Sequence, residues 1–309
     1  MTDTVAPADS LPSRGSEPPL GFAYAIGAYF LWGFLPFYMK AVDHISPVEV
    51  VVHRVLWSVP VAAVLLVALG RTADIRAAFR SRRTLAMAAV TASLITVNWG
   101  LYVWAIAVDR TLETALGYYI NPLVNVLLGA LLLGERLNRA QAVAVALAVL
   151  AVVILTINAG GLPWISIVLP LTFGVYGFLR KTLPVGPSQG FFLEVLILSV
   201  PALAYAVWLA VAKADHFVGG TFAETALLIG CGPVTAIPLI LFAFGAKLLR
   251  FTTIGLLQYI APTMIFLIAV FVFKEPFSMW QAAAFALIWT ALAIYSWSMI
   301  REARVTVTG

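Results

Sequence analysis

The residues best able to do chemistry in this chain are ionisable side chains set inside long apolar stretches: Glu49, His53 and Arg54 in one stretch, Glu194 in another. Glu49 and His53 are four apart, so on a helix they share a face. An arginine near the middle of an apolar helix costs about 2.5–3.5 kcal/mol on insertion scales unless it is paired or hydrated. Arg54 is therefore a functional candidate in its own right. Aligning Ser58-Val59-Pro60 with Ser199-Val200-Pro201 sets His53 opposite Glu194. The expectation is that Glu194 meets Arg54, His53 or both. Two roles are open for such a group. It could couple a solute to protons, because imidazole changes charge near neutral pH, or it could be a permanent ion pair that locks two helices together.

Neutral polar residues recur at helical spacing in other stretches. Asn98 and Tyr102 are four apart, Tyr118 and Asn121 three apart, and Gln258 and Tyr259 lie near Thr263. Such stripes can line a cavity and hydrogen-bond a solute, or they can bond helix to helix at about 0.6 kcal/mol each. Trp32 and Trp99 stand beside glycines and are candidates for an aromatic wall facing a solute. Pro122 and Pro262 occupy equivalent places in two similar segments, and each removes an intrahelical hydrogen bond, which makes them the hinge candidates. Glu135 and Glu275 each follow one of these prolines by thirteen residues. Both stand just before the next apolar block, where a carboxylate complements a helix N-terminus, so they read as structural caps. The chain has no HExxH, GxSxG or glycine-rich phosphate loop, and its histidines are scattered at 44, 53 and 216. No catalytic residue, metal site or cofactor is expected, beyond possible proton coupling.

The elements that must position these residues are membrane spans. The 309 residues are 62% hydrophobic and 11% charged, against roughly 45–50% and about 25% for soluble domains. A soluble chain of this size could not cover its surface with so little charge. Ten apolar blocks are legible, near 20–39, 48–69, 84–107, 112–133, 138–157, 164–180, 189–211, 225–246, 252–273 and 279–299. Blocks of about 18 or more apolar residues read as bilayer spans. With the N-terminus in the cytoplasm, fourteen Lys and Arg residues fall on the inner side, five of them within 71–83, and four (Lys40, Arg110, Lys213, Lys274) fall outside. That asymmetry is the positive-inside pattern, and it leaves nucleic-acid binding without support. Residues 1–18 read as a disordered cytoplasmic tail and 301–309 as a second tail. The single cysteine, Cys231, sets no disulfide framework.

The chain also repeats. Tyr119-Ile120-Asn121-Pro122 matches Tyr259-Ile260-Ala261-Pro262, with Arg110 and Arg250 ahead of them at the same 140-residue offset. Trp32-Gly33-Phe34-Leu35 matches Tyr176-Gly177-Phe178-Leu179. Spans one to five, residues 19–158, thus correspond in order to spans six to ten, residues 159–300. Five spans per unit is an odd number, so the second unit lies inverted relative to the first. The fold class expected is an all-α integral membrane protein of about ten helices in two inverted five-helix repeats.

These strings resemble the drug/metabolite transporter superfamily, in its EamA-type ten-helix family and RarD-like branch. The resemblance is carried by Trp32-Gly33, by His53-Arg54 with Trp57-Ser58, and by Asn98-Trp99 with Tyr102 and Trp104. Gly117 through Asn121-Pro122 and Glu135 add to it, as do Glu194 and Gln258 through Pro262 in the second half. It covers roughly residues 20–300. It implies an inner-membrane transporter with a central cavity between its halves, working on a small-molecule solute. Simple cation–drug exchange of the four-helix type would use a carboxylate in the first span, and the first span here has none. A membrane scaffold or sensor without transport is the alternative reading.

Overall fold

The structure, a computed structural model, describes residues 18–133, 137–158, 162–249 and 251–308. Within them the chain forms α1 (Pro19–Ala41), α2 (Pro47–Ala68), α3 (Thr72–Arg80), α4 (Arg82–Ala107), α5 (Thr111–Leu133) and α6 (Arg139–Asn158). The second half forms α7 (Trp164–Thr182), α8 (Pro187–Val211), α9 (Phe222–Leu248), α10 (Phe251–Leu257), α11 (Ile260–Leu267), a π-helical turn (Ile268–Val272) and α12 (Met279–Thr308). Among the described residues, nine helical segments are long and apolar enough to cross a membrane, and Trp164–Arg180 is a shorter apolar helix. Helices suit that environment because each satisfies its own backbone hydrogen bonds in lipid.

Local chemistry sets the helix ends. Proline at the first turn opens α1, α2 and α8, where its missing N–H has no bond to lose. Thr221 and Glu224 form a capping box at α9, and Ser81 accepts from the Thr84 amide at α4. Asp109 and Lys213 close α4 and α8 in the left-handed region. The amides of Arg110 and Ala214 then reach back to Ala105 and Leu209, as in a Schellman cap.

Helix packing reproduces the repeat. The pairing of α1 with α9 is matched by that of α7 with α4, α2 with α9 by α8 with α4, and α5 with α7 by α11 with α1. The pairs α2–α8, α5–α11 and α6–α12 map onto themselves. The α6–α12 seam is lined by small residues: Ala144, Ala148 and Ala151 are buried on α6, and Ala284 and Ala291 on α12. Small side chains let backbones approach, so van der Waals contact replaces the hydrophobic drive that lipid cannot supply.

Three features depart from the sequence expectation. The basic 71–83 segment contains a short helix, α3, whose Ile75 and Ala78 pack with Ala88, Leu183 and Leu193. The ninth span is not one helix but breaks at Gln258–Tyr259 between α10 and α11. Pro262 explains the position, because a proline ring clashes with the carbonyl four residues before it, which here belongs to Gln258. Pro122 sits at the equivalent place in α5, yet α5 runs through it without a break. The segment from 301, read as a tail, continues as helix to Thr308.

Contacts between loops join the segments that carry the four sequence-predicted outer basic residues at one end of the bundle. Lys40 pairs with Asp109 at 2.6 Å and lies 5.9 Å from the Phe273 ring, next to Lys274. Arg110 pairs with Glu113 and stacks on Trp164 at 5.8 Å. His44 reaches Glu224 at 3.1 Å across the loop that begins near Lys213. Glu275 is buried, and its two oxygens accept from the amides of Thr111 and Leu112 at 2.7 and 2.8 Å. It is thus a helix cap, but of α5 in the other repeat rather than of the helix that follows it. Glu135 lies outside the described residues.

Candidate functional site

Arg54 is the centre of the buried polar chemistry. It is 3% exposed, two turns into α2. Its Nε donates to Thr235 Oγ1 of α9 at 3.1 Å, and its guanidinium lies over the Trp99 ring of α4 at 4.8 Å. Gly232 makes the α2–α9 approach possible, because a Cβ there would lie 2.3 Å from the Trp57 carbonyl oxygen. The ionisable groups facing Arg54 are Cys231, Tyr118 and Tyr102, none of them anionic near neutral pH. The rings of Tyr102 and Tyr118 meet at 5.8 Å, joining α4 to α5.

Several side-chain atoms around this point have no protein partner: Arg54 Nη1, Trp57 Nε1, Ser58 Oγ, Tyr102 OH and Asn121 Oδ1. Arg54 and Ser58 share a face of α2, and Asn121 stands one turn along α5 from Tyr118. Buried polar atoms in folded proteins nearly always bond to protein, water or a ligand. Five such atoms lie on α2, α4 and α5, and Arg54 among them bonds to α9 of the other repeat.

The structure separates some residues that the sequence reading had joined. Glu194 does not meet Arg54 or His53. Its carboxylate accepts from Arg180 Nη1 at 3.0 Å and from the Tyr176 hydroxyl at 3.2 Å, both from α7 of its own repeat. Gly190 makes room for this, since a Cβ at that position would lie 2.0 Å from Arg180 Nη1. The signal was present in the sequence: Arg180 ends one block and Glu194 opens the next across a short turn. The positive-inside count absorbed it. His53 instead stacks on Phe217 at 4.8 Å.

Other candidates are engaged elsewhere. The Asn98 amide donates to the Leu169 carbonyl at 2.9 Å and the Thr172 hydroxyl at 3.0 Å, bonding α4 to α7. Trp32 packs with Tyr29 and Phe242 on the α1–α9 contact. Gln258 bonds to the Gly255 carbonyl at the helix break, and Tyr259 packs into the main core. Of the predicted residues, Arg54, Trp99, Tyr102 and Tyr118 come together, with Asn121 buried one turn further along α5. Sequence reasoning missed Trp57, Phe217, Cys231 and Thr235, which have ordinary identities for an apolar helix or a loop.

One end of the cluster is covered by the loop between α8 and α9. Phe217 in this loop stacks on His53 and lies 5.8 Å from the Trp57 ring. The neighbouring His216 donates its amide to Glu49 at 2.7 Å and sets its Nδ1 2.8 Å from the same carboxylate. Asp215 accepts from the amides of Val218 and Gly219 at 2.5 and 3.1 Å. These bonds to the ionised form hold its carboxyl below the usual carboxylate range.

Residues 19–157, the stretch spanned by α1 to α6, match the EamA-like transporter family. The protein RarD of Streptomyces exfoliatus is 41% identical over 289 residues, which is 94% of this chain and 92% of that one. The chain belongs to the EamA-like transporter family, in its RarD-like branch. RarD of Escherichia coli strain K12 is 37% identical over 286 residues, covering 93% of this EamA-like chain and 97% of that protein. A solved crystal structure shares the fold, with a TM-score of 0.59 at 20% identity over 90% of this chain and 98% of that one. This EamA-like protein is a multi-pass membrane transporter or permease.

Proposed function

We propose that the chain is a secondary transporter that carries a small organic solute across the inner membrane by alternating access. In this reading the solute sits between the two repeats, at the cluster around Arg54, with both chain termini in the cytoplasm. The observation that carries it is the set of unpartnered buried polar atoms on α2, α4 and α5, facing α9 of the other repeat. Transporters built from inverted repeats bind at such an interface, and broken helices accompany the site. The Phe217 loop would close the outer route, and the break before Pro262, with Pro122 at the equivalent place in α5, would serve as a hinge. The test is flux into proteoliposomes holding the purified chain, over a panel of amino acids, organic acids, amines and nucleosides, with and without a pH gradient. Solute-dependent flux reduced by Tyr102→Phe or Trp99→Ala supports the reading. No flux for any member of the panel would favour a non-transporting scaffold or sensor.

A further inference from the structure

We infer that the solute recognised at this cluster is an organic monocarboxylate, held by Arg54, with an apolar or aromatic body against the surrounding rings. The inference rests on the proposed site between the repeats. Arg54 keeps its charge, because guanidinium is not deprotonated in proteins. Among the described residues that charge has no counter-ion within ion-pairing distance. Three carboxylates are deeply buried among the described residues, and each is engaged elsewhere: Glu49 with His216, Glu194 with Arg180, and Glu275 with two backbone amides of α5. The groups facing Arg54 are a thiol and two phenols.

The geometry says which part of the guanidinium remains for a guest. Trp99 covers one face and Thr235 takes the Nε proton, while Nη1 has no partner. Nη1 is thus left to donate a charge-assisted hydrogen bond to a carboxylate. The Tyr102 hydroxyl, also unpartnered, is a further donor for the same anion. Trp57, Trp99 and Tyr118 offer ring surface for the rest of the molecule. An organic cation would face an unbalanced positive charge. A dianionic phosphate ester would call for a second cation, and Arg180 is already paired. A zwitterionic amino acid would bring a second charge, for which the cluster offers neutral acceptors and ring faces but no carboxylate among the described residues.

The test is equilibrium binding to the full chain in lipid nanodiscs, using radiolabelled indole-3-acetate and matched competitors. Indole-3-acetate and benzoate should compete at least about 10- to 100-fold better than indole-3-acetamide and benzamide, the range for hydrogen bonds to a charged group. Arg54→Gln should erase that preference, Arg54→Lys should retain part of it, and Glu194→Gln should leave it intact. Equal competition by acids and amides, no binding of any acid, or binding of chloride and inorganic phosphate alone would overturn the inference. So would a folded Arg54→Gln protein that binds acids as the parent does. If that variant does not fold, the acid–amide comparison on the parent decides alone. Acid binding without flux would sink the transport reading and leave this inference standing. Flux of a neutral or cationic solute without acid binding would do the reverse.

Discussion

Arg180→Met should destabilise the protein more than Glu194→Gln, and the double variant should cost less than the sum of the two. The asymmetry follows from burial. The Glu194 side chain is 1% exposed and that of Arg180 is 17% exposed. Removing Arg180 strands a carboxylate in an apolar interior with the Tyr176 hydroxyl as a remaining donor. Breaking a buried pair from one side costs about 3–5 kcal/mol, and the surviving hydrogen bond places this variant near about 3 kcal/mol. Removing the charge of Glu194 leaves a long cationic side chain near a helix end, which can swing toward the interface. That variant should cost about 1 kcal/mol, the net value of a lost hydrogen bond. In the double variant neither charge is stranded, so the cost should return to about 1–2 kcal/mol and the coupling should be about 2–3 kcal/mol. The assay is equilibrium unfolding in mixed micelles, titrated with dodecyl sulfate and followed by tryptophan fluorescence. Equal single costs that add in the double variant would refute the reasoning. The pH profile of flux gives a second readout: a structural pair predicts no change in Glu194→Gln, whereas a shifted profile would make this carboxylate a coupling group.

Glu275→Gln removes a charged acceptor shared by the Thr111 and Leu112 amides, so thermal unfolding should show a loss of about 1–2 kcal/mol with flux per folded molecule unchanged. Gly232→Val should destabilise by about 1–3 kcal/mol through overpacking, because its side chain meets the Trp57 backbone; an unchanged unfolding midpoint would contradict the close approach of α9 to α2. Phe217→Ala should speed labelling of His53→Cys by a membrane-impermeant thiol reagent in a Cys231→Ser background, and an unchanged rate would remove the loop as a cover. Asp215 has a native pKa below its unfolded value, so its contribution is fully present above the ordinary carboxylate range and is lost as pH falls through the depressed value. Amide protection at Val218 and Gly219 should follow that acid-side loss and should be weakened at neutral pH in Asp215→Asn.

Span number, repeat and family were legible in the sequence because they rest on one-dimensional quantities. Apolar block length sets the spans, the distribution of Lys and Arg sets the sidedness expected, and the 140-residue offset reveals the duplication. Arg54 and its aromatic neighbours Trp99, Tyr102 and Tyr118 were also recognisable, since a charge or phenol inside an apolar helix stands out against its neighbours. The helix break was half visible: Pro122 and Pro262 are equivalent in sequence, yet only the second stands at a break. The surrounding packing decides whether a proline is accommodated.

Partner choice belonged to the tertiary structure. The repeat aligns His53 with Glu194, but alignment relates positions by symmetry and says nothing about which way a side chain points. Gly190 opens a path for Arg180 from the adjacent helix, and that nearer cation takes the carboxylate. The same packing that gives Glu194 a local partner leaves Arg54 with a hydroxyl, an indole and, among the described residues, no anion. Composition and spacing determined that this chain crosses a membrane as a duplicated helical bundle with charge inside it. Only the close approach of helices decided which of those charges pair, because ion pairing depends on separations of a few ångströms that no spacing along the chain encodes.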